Sequence, residues 1–299
     1  MHTPDGISFV AIDVETANAD MTSICQIGLV RYRDNQLVDM WKTFVDPNDY
    51  FDAFNVHLHG IDESAVSGAP TFAGVADELF KHLDNQVVVS HTHFDRVALQ
   101  RAASRFGTRD PVCTWLDSAR IARRTWPNVA WGGYGLKAVC KHLGYTFQHH
   151  DALEDAKAAA RIVQAASQES GLDIRGWLER VEQPIDLTSG SSGSFVKRQG
   201  NPEGALFGEA VVFTGSLSMT RREAADLAAS VGCAVAASVT KNTTLLVVGN
   251  QDIRMLAGHS KSTKHRKAEE LVAKGVAIRI LAEDDFRELV RVGLEMAEG

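Results

Sequence analysis

Acidic side chains at the end of a short apolar run are the first residues whose types and spacing suit chemistry. Asp13 and Glu15 follow the run Phe9-Val10-Ala11-Ile12. On a β-strand, residues two apart point to the same side, so both carboxylates would face one way. Two neighbouring carboxylates repel each other unless a cation lies between them. Taken alone, the pair is more typical of an ordinary acidic surface.

Two further acids and a histidine also have ordinary structural explanations when each is taken alone. Asp95 follows the apolar run 87–89 and would suit a helix N-cap. Asp155, five residues after His150, would lie in the first turn of a helix that starts near Ala152, where the helix dipole favours acids. Together, four carboxylates can hold two hard divalent cations, Mg²⁺ or Mn²⁺, about 4 Å apart around a phosphate. A histidine that titrates near neutrality is suited to take the proton of an attacking water.

The elements that must position these residues form two groups. In the first group, hydrophobic periodicity predicts strands at 9–12, 27–32, 37–45 and 87–89 and helices at 72–83, 95–106, 134–143 and 152–166. Asp34-Asn35 is expected to join the second and third strands as a hairpin. Strands followed by alternating strands and helices predict an α/β domain, a mixed sheet covered by helices, over residues 7–182.

The second group is a smaller α/β domain, predicted over residues 204–293, with four strands and three helices. Residues 183–203 are rich in Gly and Ser, for example at Thr188-Ser189-Gly190-Ser191-Ser192-Gly193-Ser194, and are predicted to be a flexible linker.

Composition limits the possible environments and partners. The formal net charge of −7 argues against a protein that coats duplex DNA through bulk positive charge, although a carboxylate active site is itself acidic. Cys25, Cys113, Cys140 and Cys233 show no CxxC spacing, which predicts a reducing, cytoplasmic location. No stretch reaches the roughly 20 apolar residues of a membrane span, so we expect no membrane partner.

The motifs of the first domain resemble those of the DEDDh (DnaQ-like) 3′→5′ exonucleases, a family that includes the proofreading epsilon subunit of bacterial DNA polymerase III. The resemblance covers about residues 7–166 and rests on residues 9–16, His59-Gly60-Ile61, Phe94-Asp95 and residues 150–155. It implies a ribonuclease H-like fold, two Mg²⁺ or Mn²⁺ ions, and release of nucleoside monophosphates from a 3′ end. We expect the substrate to be DNA with a free, single-stranded 3′ end, in repair or replication proofreading.

The resemblance also implies roles for individual residues. Four carboxylates would be metal ligands and His150 the general base, which gives the catalytic set Asp13, Glu15, Asp95, His150 and Asp155. Thr16, His59 and Ile61 would lie near the terminal nucleotide. His149 is the rival for the base, but the step from His150 to Asp155 matches the family's His-x-x-x-x-Asp. One position departs from the family: His91 stands where an Asn is usual, so local hydrogen bonding and substrate preference are open there.

The second domain resembles a BRCT domain, in the style of the bacterial NAD-dependent DNA ligases. The resemblance rests on the strand end Thr214-Gly215, on Val231-Gly232-Cys233 and on the strand 243–249, with Phe286 expected in place of the usual Trp of the last helix. It implies a phosphate site at Thr214, Gly215 and Lys267, with Lys264 as a second candidate, that binds a protein or a DNA end. The alternative is a purely structural module whose lysines are solvated.

Three functions therefore remain open. The first is a DNA 3′→5′ exonuclease, and the second is an RNA-trimming enzyme like ribonuclease T or oligoribonuclease. The third is a BRCT-mediated adaptor with a vestigial nuclease, which would be expected to lack a carboxylate. All four carboxylates are present, so the sequence favours an enzyme.

Overall fold

The computed structural model describes residues 6–130, 133–183, 185, 200–215, 217–219, 221–249 and 261–298. The chain divides into two compact units, Met1–Asn18 with Thr22–Gly190, and Ala19–Met21 with Ser191–Gly299. The predicted Gly/Ser-rich linker falls largely on residues 186–199, which lie outside the described residues. The predicted domain limits therefore stay predictions.

The first unit is built on a five-stranded mixed sheet in the order β3-β2-β1-β4-β5. Its strands are β1 (Phe9–Thr16), β2 (Ile24–Arg33), β3 (Gln36–Phe44), β4 (Val87–Ser90) and β5 (Thr114–Asp117). β1, β2 and β3 pair antiparallel, whereas β4 pairs parallel with both β1 and β5. β1 therefore has a hydrogen-bonded neighbour on each side. Its residues are buried through Glu15, as expected for a central strand covered on both faces.

A two-residue turn joins β2 to β3, as predicted. Asp34 and Asn35 have φ values of 50° and 67°. Positive φ at both central residues is the requirement of a type I′ turn, which Asp and Asn tolerate better than most residues. The turn fixes the register of the hairpin, with Arg33 opposite Gln36.

Helices cover this sheet. They are α1 (Ala53–His59), α2 (Phe72–Leu83), α3 (Phe94–Phe106), α4 (Ser118–Thr125), α5 (Leu136–His142), α6 (Ala152–Ser170) and α7 (Ile174–Val181). The apolar face predicted for α2 is buried, and α6 carries an alanine-rich face into the main core with the β1 residues Phe9 and Ala11. Small side chains allow a helix to lie close to a sheet, and α6 contacts both β1 and β2.

The second unit is an all-parallel four-stranded sheet in the order β7-β6-β8-β9. Its elements are β6 (Ala210–Thr214), α8 (Arg221–Ser230), β7 (Ala234–Val235), β8 (Leu245–Val248), α9 (Thr263–Val272), β9 (Arg279–Ala282) and α10 (Glu283–Glu298). Phe286 is fully buried and packs edge-on against Phe213, with ring centroids 5.2 Å apart. It thus fills a core position of the last helix, as expected.

The predicted fold class is confirmed, a mixed sheet with helices followed by a small α/β unit. Four described elements of the first unit were not predicted: α1, β5, α4 and α7. None of the described helices is both long enough and apolar enough to cross a bilayer.

Candidate active site

The end of β1 carries the first two predicted ligands. Asp13 and Glu15 are only 6% and 9% exposed, although both are acidic. In the β1–β2 ladder, Asp13 lies opposite Gly28 and Glu15 lies opposite Gln26. Because buried carboxylates lose hydration, this strand end favours a compensating positive charge.

The start of α6 brings Asp155 to the same place. Asp151 caps the helix by accepting hydrogen bonds from the backbone of Leu153 and Glu154, which fixes where the first turn begins. The N–H of Ala152 donates to the side-chain oxygen of Gln26 at 2.9 Å. The helix start is therefore tied to the β2 residue that pairs with Glu15.

Gly28 permits this close approach. A Cβ atom at this position would overlap the backbone of Ala152 and Leu153. The missing side chain lets the first turn of α6 lie directly on β2. Since Gly28 pairs with Asp13, the same contact sets the separation between Asp13 and Asp155.

Three carboxylates converge as a result. Asp13, Glu15 and Asp155 each offer an oxygen, and these three atoms lie within 4.8 Å of one another. Such a group of buried oxygen donors fits a hard divalent cation such as Mg²⁺ or Mn²⁺ and suits softer metals less well. The chemistry of these oxygen donors is thus consistent with the predicted cofactor.

Asp95 joins this group through the backbone of β1. It lies in the first turn of α3 and is 1% exposed. Its Oδ1 accepts a hydrogen bond from the N–H of Val14 at 3.1 Å. Val14 stands between Asp13 and Glu15 in the strand, so Asp95 is adjacent to the strand end even though it is not within the 4.8 Å group. All four predicted carboxylates are thus brought to one region.

Both candidate bases lie beside Asp155, in different ways. The imidazole Nδ1 of His149 lies 3.1 Å and 2.9 Å from the two Asp155 oxygens. His150 contacts Asp155 through its backbone, whose N–H donates to Oδ2 at 3.2 Å, and its φ is 68°. The two imidazole rings stack with centroids 3.8 Å apart. The geometry puts both rings at the site, and the choice of His150 stays a prediction.

Of the residues predicted to meet the terminal nucleotide, His59 contacts the carbonyl of Thr16, and Ile61 contacts His59. His59 Nε2 lies 3.1 Å from this oxygen, and Nδ1 of the same ring accepts from the N–H of Ile61 at 3.0 Å. The ring is therefore the neutral Nε2–H tautomer, which donates to Thr16. Burial lowers the pKa of His59, and the bond to Thr16 opposes this effect. Ile61 itself is buried in a small apolar cluster with Ala17 and Val66.

Sequence reasoning missed Asn55. Its Nδ2 donates to the Thr16 carbonyl at 2.8 Å, so Asn55 and His59 hold the same oxygen. Asp52 caps α1 by accepting from Phe54 N, and residues four apart on a helix share a face. The spacing Asp52, Asn55, His59 was the available signal.

In the second unit the residues predicted to bind phosphate make different contacts. Thr214 Oγ1 lies 2.7 Å from Ser262 Oγ, and Lys264 Nζ donates to the Phe213 carbonyl at 3.1 Å. Burial and the neighbouring Arg221 lower the pKa of Lys264. Arg221 donates to the Gly215 carbonyl at 2.5 Å.

Lys267 makes a different contact. Its Nζ pairs with Glu270 at 2.8 Å, and both side chains are 46% exposed. Among the described residues, Lys264 and Arg221 donate to carbonyls at the β6 end, whereas Lys267 pairs with Glu270.

Comparisons with known proteins agree with this division into two units. Residues 10–163, just over half of the chain, match the family model described as Exonuclease, and residues 209–289 match the BRCA1 C Terminus (BRCT) domain model. A protein of Clostridium perfringens named "DNA polymerase III PolC-type" is 32% identical over 162 residues, which are 52% of this chain and 11% of that protein.

The "3'-5' exonuclease DinG" of Bacillus subtilis is 31% identical over 159 residues, which are 52% of this chain and 17% of that protein. The chain thus spans between about a tenth and a sixth of the length of these curated relatives. A solved structure, "Exonuclease X in complex with 5' overhanging duplex DNA", is 21% identical with a TM-score of 0.47, and covers 57% of this chain and 98% of that chain.

Proposed function

The chain belongs to the exonuclease family, and we propose on this premise that it hydrolyses the terminal phosphodiester bond at the 3′ end of DNA and releases nucleoside 5′-monophosphates. The observation that carries the proposal is the approach of Asp13, Glu15 and Asp155 within 4.8 Å in a buried site. An acidic cluster of this kind has no purpose in binding an anionic nucleic acid unless cations mediate the contact.

We propose that four carboxylates hold two Mg²⁺ or Mn²⁺ ions. They are those of Asp13, Glu15, Asp95 and Asp155. When bound, the ions supply charge neutralisation on the phosphate and lower the pKa of water. The protein fixes the ligands beforehand. Two come from one central strand, and the other two come from the first turns of α3 and α6.

His150 is proposed to accept the proton of the attacking water. The water oxygen forms a bond to phosphorus, the bond from phosphorus to the 3′ oxygen breaks, and this oxygen leaves as a hydroxyl after protonation. His149 is the alternative base, because its ring contacts Asp155 directly. A neutral imidazole is required in either case, because only an unprotonated ring nitrogen can accept the proton.

We propose that the pocket for the terminal nucleotide is lined by Thr16, His59 and Ile61. Asn55 is proposed as a further member of this lining. Asn55 and His59 hold the Thr16 carbonyl, which directly follows Glu15 in the chain. Their role would be to fix the backbone beside the metal ligands, so that this side of the nucleotide pocket is rigid.

DNA is proposed as the substrate because two relatives carry names that refer to DNA polymerase III and to 3′→5′ exonuclease activity. A free single-stranded 3′ end would enter the site most easily. The role would be in repair or replication proofreading. RNA trimming is the alternative, since a two-ion carboxylate site does not by itself distinguish the two sugars.

The BRCT unit is proposed to bind a phosphate on a protein or on a DNA end. Thr214 and Gly215 at the end of β6 are the proposed ligands. Lys264 is proposed as the cation in place of Lys267, because Lys264 Nζ donates to the Phe213 carbonyl at the β6 end whereas Lys267 pairs with Glu270.

The test is a nuclease assay with the full chain on DNA and RNA oligonucleotides of the same sequence. Each is labelled at the 5′ or the 3′ end and incubated with Mg²⁺, Mn²⁺ or EDTA. We expect 5′-labelled DNA to shorten one nucleotide at a time, and 3′-labelled DNA to release labelled mononucleotide at once. Internal cuts, release of a 5′-labelled mononucleotide, or equal activity in EDTA would overturn the proposal. Faster degradation of RNA would select the alternative substrate.

A further inference from the structure

The connection between β4 and α3 determines where Asp95 lies. β4 ends at Ser90 and α3 begins at Phe94, so only three residues join the strand to the helix whose first turn carries Asp95. Asp95 in turn accepts from Val14 N in the central strand. A small change in this connection would move the carboxylate relative to Asp13 and Glu15.

This connection has an unfavourable backbone conformation that its surroundings hold in place. Thr92 has a φ of 69°, which is rare for a β-branched residue. Its N–H donates to Asp117 Oδ1 at 3.0 Å, and its carbonyl accepts from Ser90 Oγ at 2.6 Å. Both backbone polar groups of Thr92 are therefore fixed by neighbouring side chains.

His91 adds a longer connection. Its ring is buried, with Nδ1 at 2.8 Å from Ser118 Oγ and Nε2 at 2.8 Å from the carbonyl of Tyr134. A carbonyl can only accept, so Nε2 carries a hydrogen. Ser118 follows β5, which already pairs with β4, whereas Tyr134 precedes α5. The Nε2–H bond thus ties the connection to a segment that the sheet does not hold.

We propose that His91 is a positioning residue that fixes Asp95 for cation binding through its Nε2–H bond to Tyr134. The amide of an Asn at this position could make the contact that Nδ1 makes with Ser118. It would be too short to make the bond that Nε2–H makes with the Tyr134 carbonyl. The longer amide of a Gln could reach the Tyr134 carbonyl but would not reproduce the contact with Ser118. The inference rests on the proposed function, because it assigns Asp95 to a cation.

The experiment compares His91→Gln, His91→Asn and Ser118→Ala with the wild-type full chain. Mn²⁺ binding is measured by calorimetry without nucleic acid, and kcat and KM are measured separately on a DNA oligonucleotide. Losing a group that orients a metal ligand typically costs on the order of 10- to 100-fold in metal affinity or activity. We expect His91→Asn to weaken Mn²⁺ binding by about 10-fold or more and to lower kcat with little change in KM.

We expect His91→Gln and Ser118→Ala to stay within about 3-fold of wild type, well below the loss of an orienting group. Thermal unfolding and circular dichroism identify variants that fail to fold, and rescue by Gln separates positioning from general stability. Equal Mn²⁺ binding by the His91→Asn and wild-type proteins would overturn the inference, as would a Gln variant no better than Asn. Because Mn²⁺ binding is measured without substrate, an inactive wild type would contradict the proposed function alone.

Discussion

Asp13 lies directly opposite Gly28 in the β1–β2 ladder, at the point where the first turn of α6 touches the sheet. The distance between a strand carboxylate and a helix carboxylate is therefore set by a residue that has no side chain. This relationship leads to the first prediction.

Gly28→Ala is expected to reduce activity strongly and to lower the free energy of unfolding. The added methyl group overlaps the backbone of Ala152 and Leu153, so α6 has to shift and carry Asp155 with it. Overpacking of this kind costs about 1–3 kcal/mol. Chemical denaturation and the nuclease assay measure the two effects. Gly135→Ala is the control, because a Cβ there meets no atom within 4 Å; equal effects of both variants would contradict the explanation.

Asp13→Asn and Asp155→Asn are expected to abolish most cleavage but to stabilise the metal-free protein. Each change removes one of three mutually repelling buried charges. The activity loss should be at least about 10²-fold, the scale of losing one preorganised electrostatic contact.

Thermal unfolding in EDTA should show a higher Tm than wild type, by roughly 2–4 °C for each kcal/mol of relieved repulsion. Added Mn²⁺ should raise the Tm of wild type more than that of either variant. Asp77→Asn on the exposed side of α2 is the control and should match wild type in both measurements. A lower Tm in EDTA for the site variants would show that the carboxylates do not repel one another.

His150→Gln is expected to lower kcat by about 10²–10⁴-fold, the usual contribution of a general base. His149→Gln is expected to have a smaller effect on kcat and a larger effect on cation affinity, since His149 contacts Asp155 directly. Single-turnover rates and Mn²⁺ titrations of both variants separate the effects. The opposite pattern would make His149 the base.

His59 is expected to make the protein less stable in acid. Burial lowers its pKa below the usual value near 6.5, so the unfolded chain takes up a proton at a pH where the folded protein does not. The free energy of unfolding should therefore be unaffected by His59 above about pH 6.5 and should fall as the pH drops below this value.

His59→Gln keeps a donor for Thr16 and removes the titration, so it should reduce this loss between pH 7.5 and pH 5. Urea unfolding at the two pH values measures it. His57→Gln, on the exposed side of the same helix, should leave the loss unchanged. An identical pH dependence in all three proteins would contradict the assignment to His59.

Lys264→Ala is expected to weaken binding of a 5′-phosphorylated oligonucleotide or a phosphopeptide more than Lys267→Ala does. Lys264 lies against the β6 end, whereas Lys267 already pairs with Glu270 on the surface. Fluorescence anisotropy with phosphorylated and unphosphorylated ligands measures the difference. Equal affinity for the two ligands in the wild type would favour a purely structural module.

The sequence was most informative where local pattern and chemistry coincide. The apolar run before Asp13 predicted a buried strand, and the hairpin residues Asp34-Asn35 predicted a tight turn, because both signals depend only on neighbouring residues. The convergence of the four carboxylates followed from the family resemblance together with the expected strand and helix ends.

Other features depend on contacts between distant segments and could not be read from the sequence. β5 is only four residues long, begins with an exposed Thr114, and is defined by its pairing with β4. The choice between Lys264 and Lys267 depends on how α9 is rotated against β6. The partners of His91 come from Ser118 and Tyr134, which are 27 and 43 residues away.

The four carboxylates proposed as ligands stand on regular elements, but both histidines stand on the irregular stretch between α5 and α6. A strand bonded on both edges and two helix starts form a rigid frame, whereas His149 and His150 are carried by a connector. If the proposed roles hold, ion affinity depends mainly on the frame and the rate of proton removal mainly on the connector. A substitution of His150 is therefore expected to change turnover more than ion affinity, whereas His149 couples the connector to the frame through its contact with Asp155.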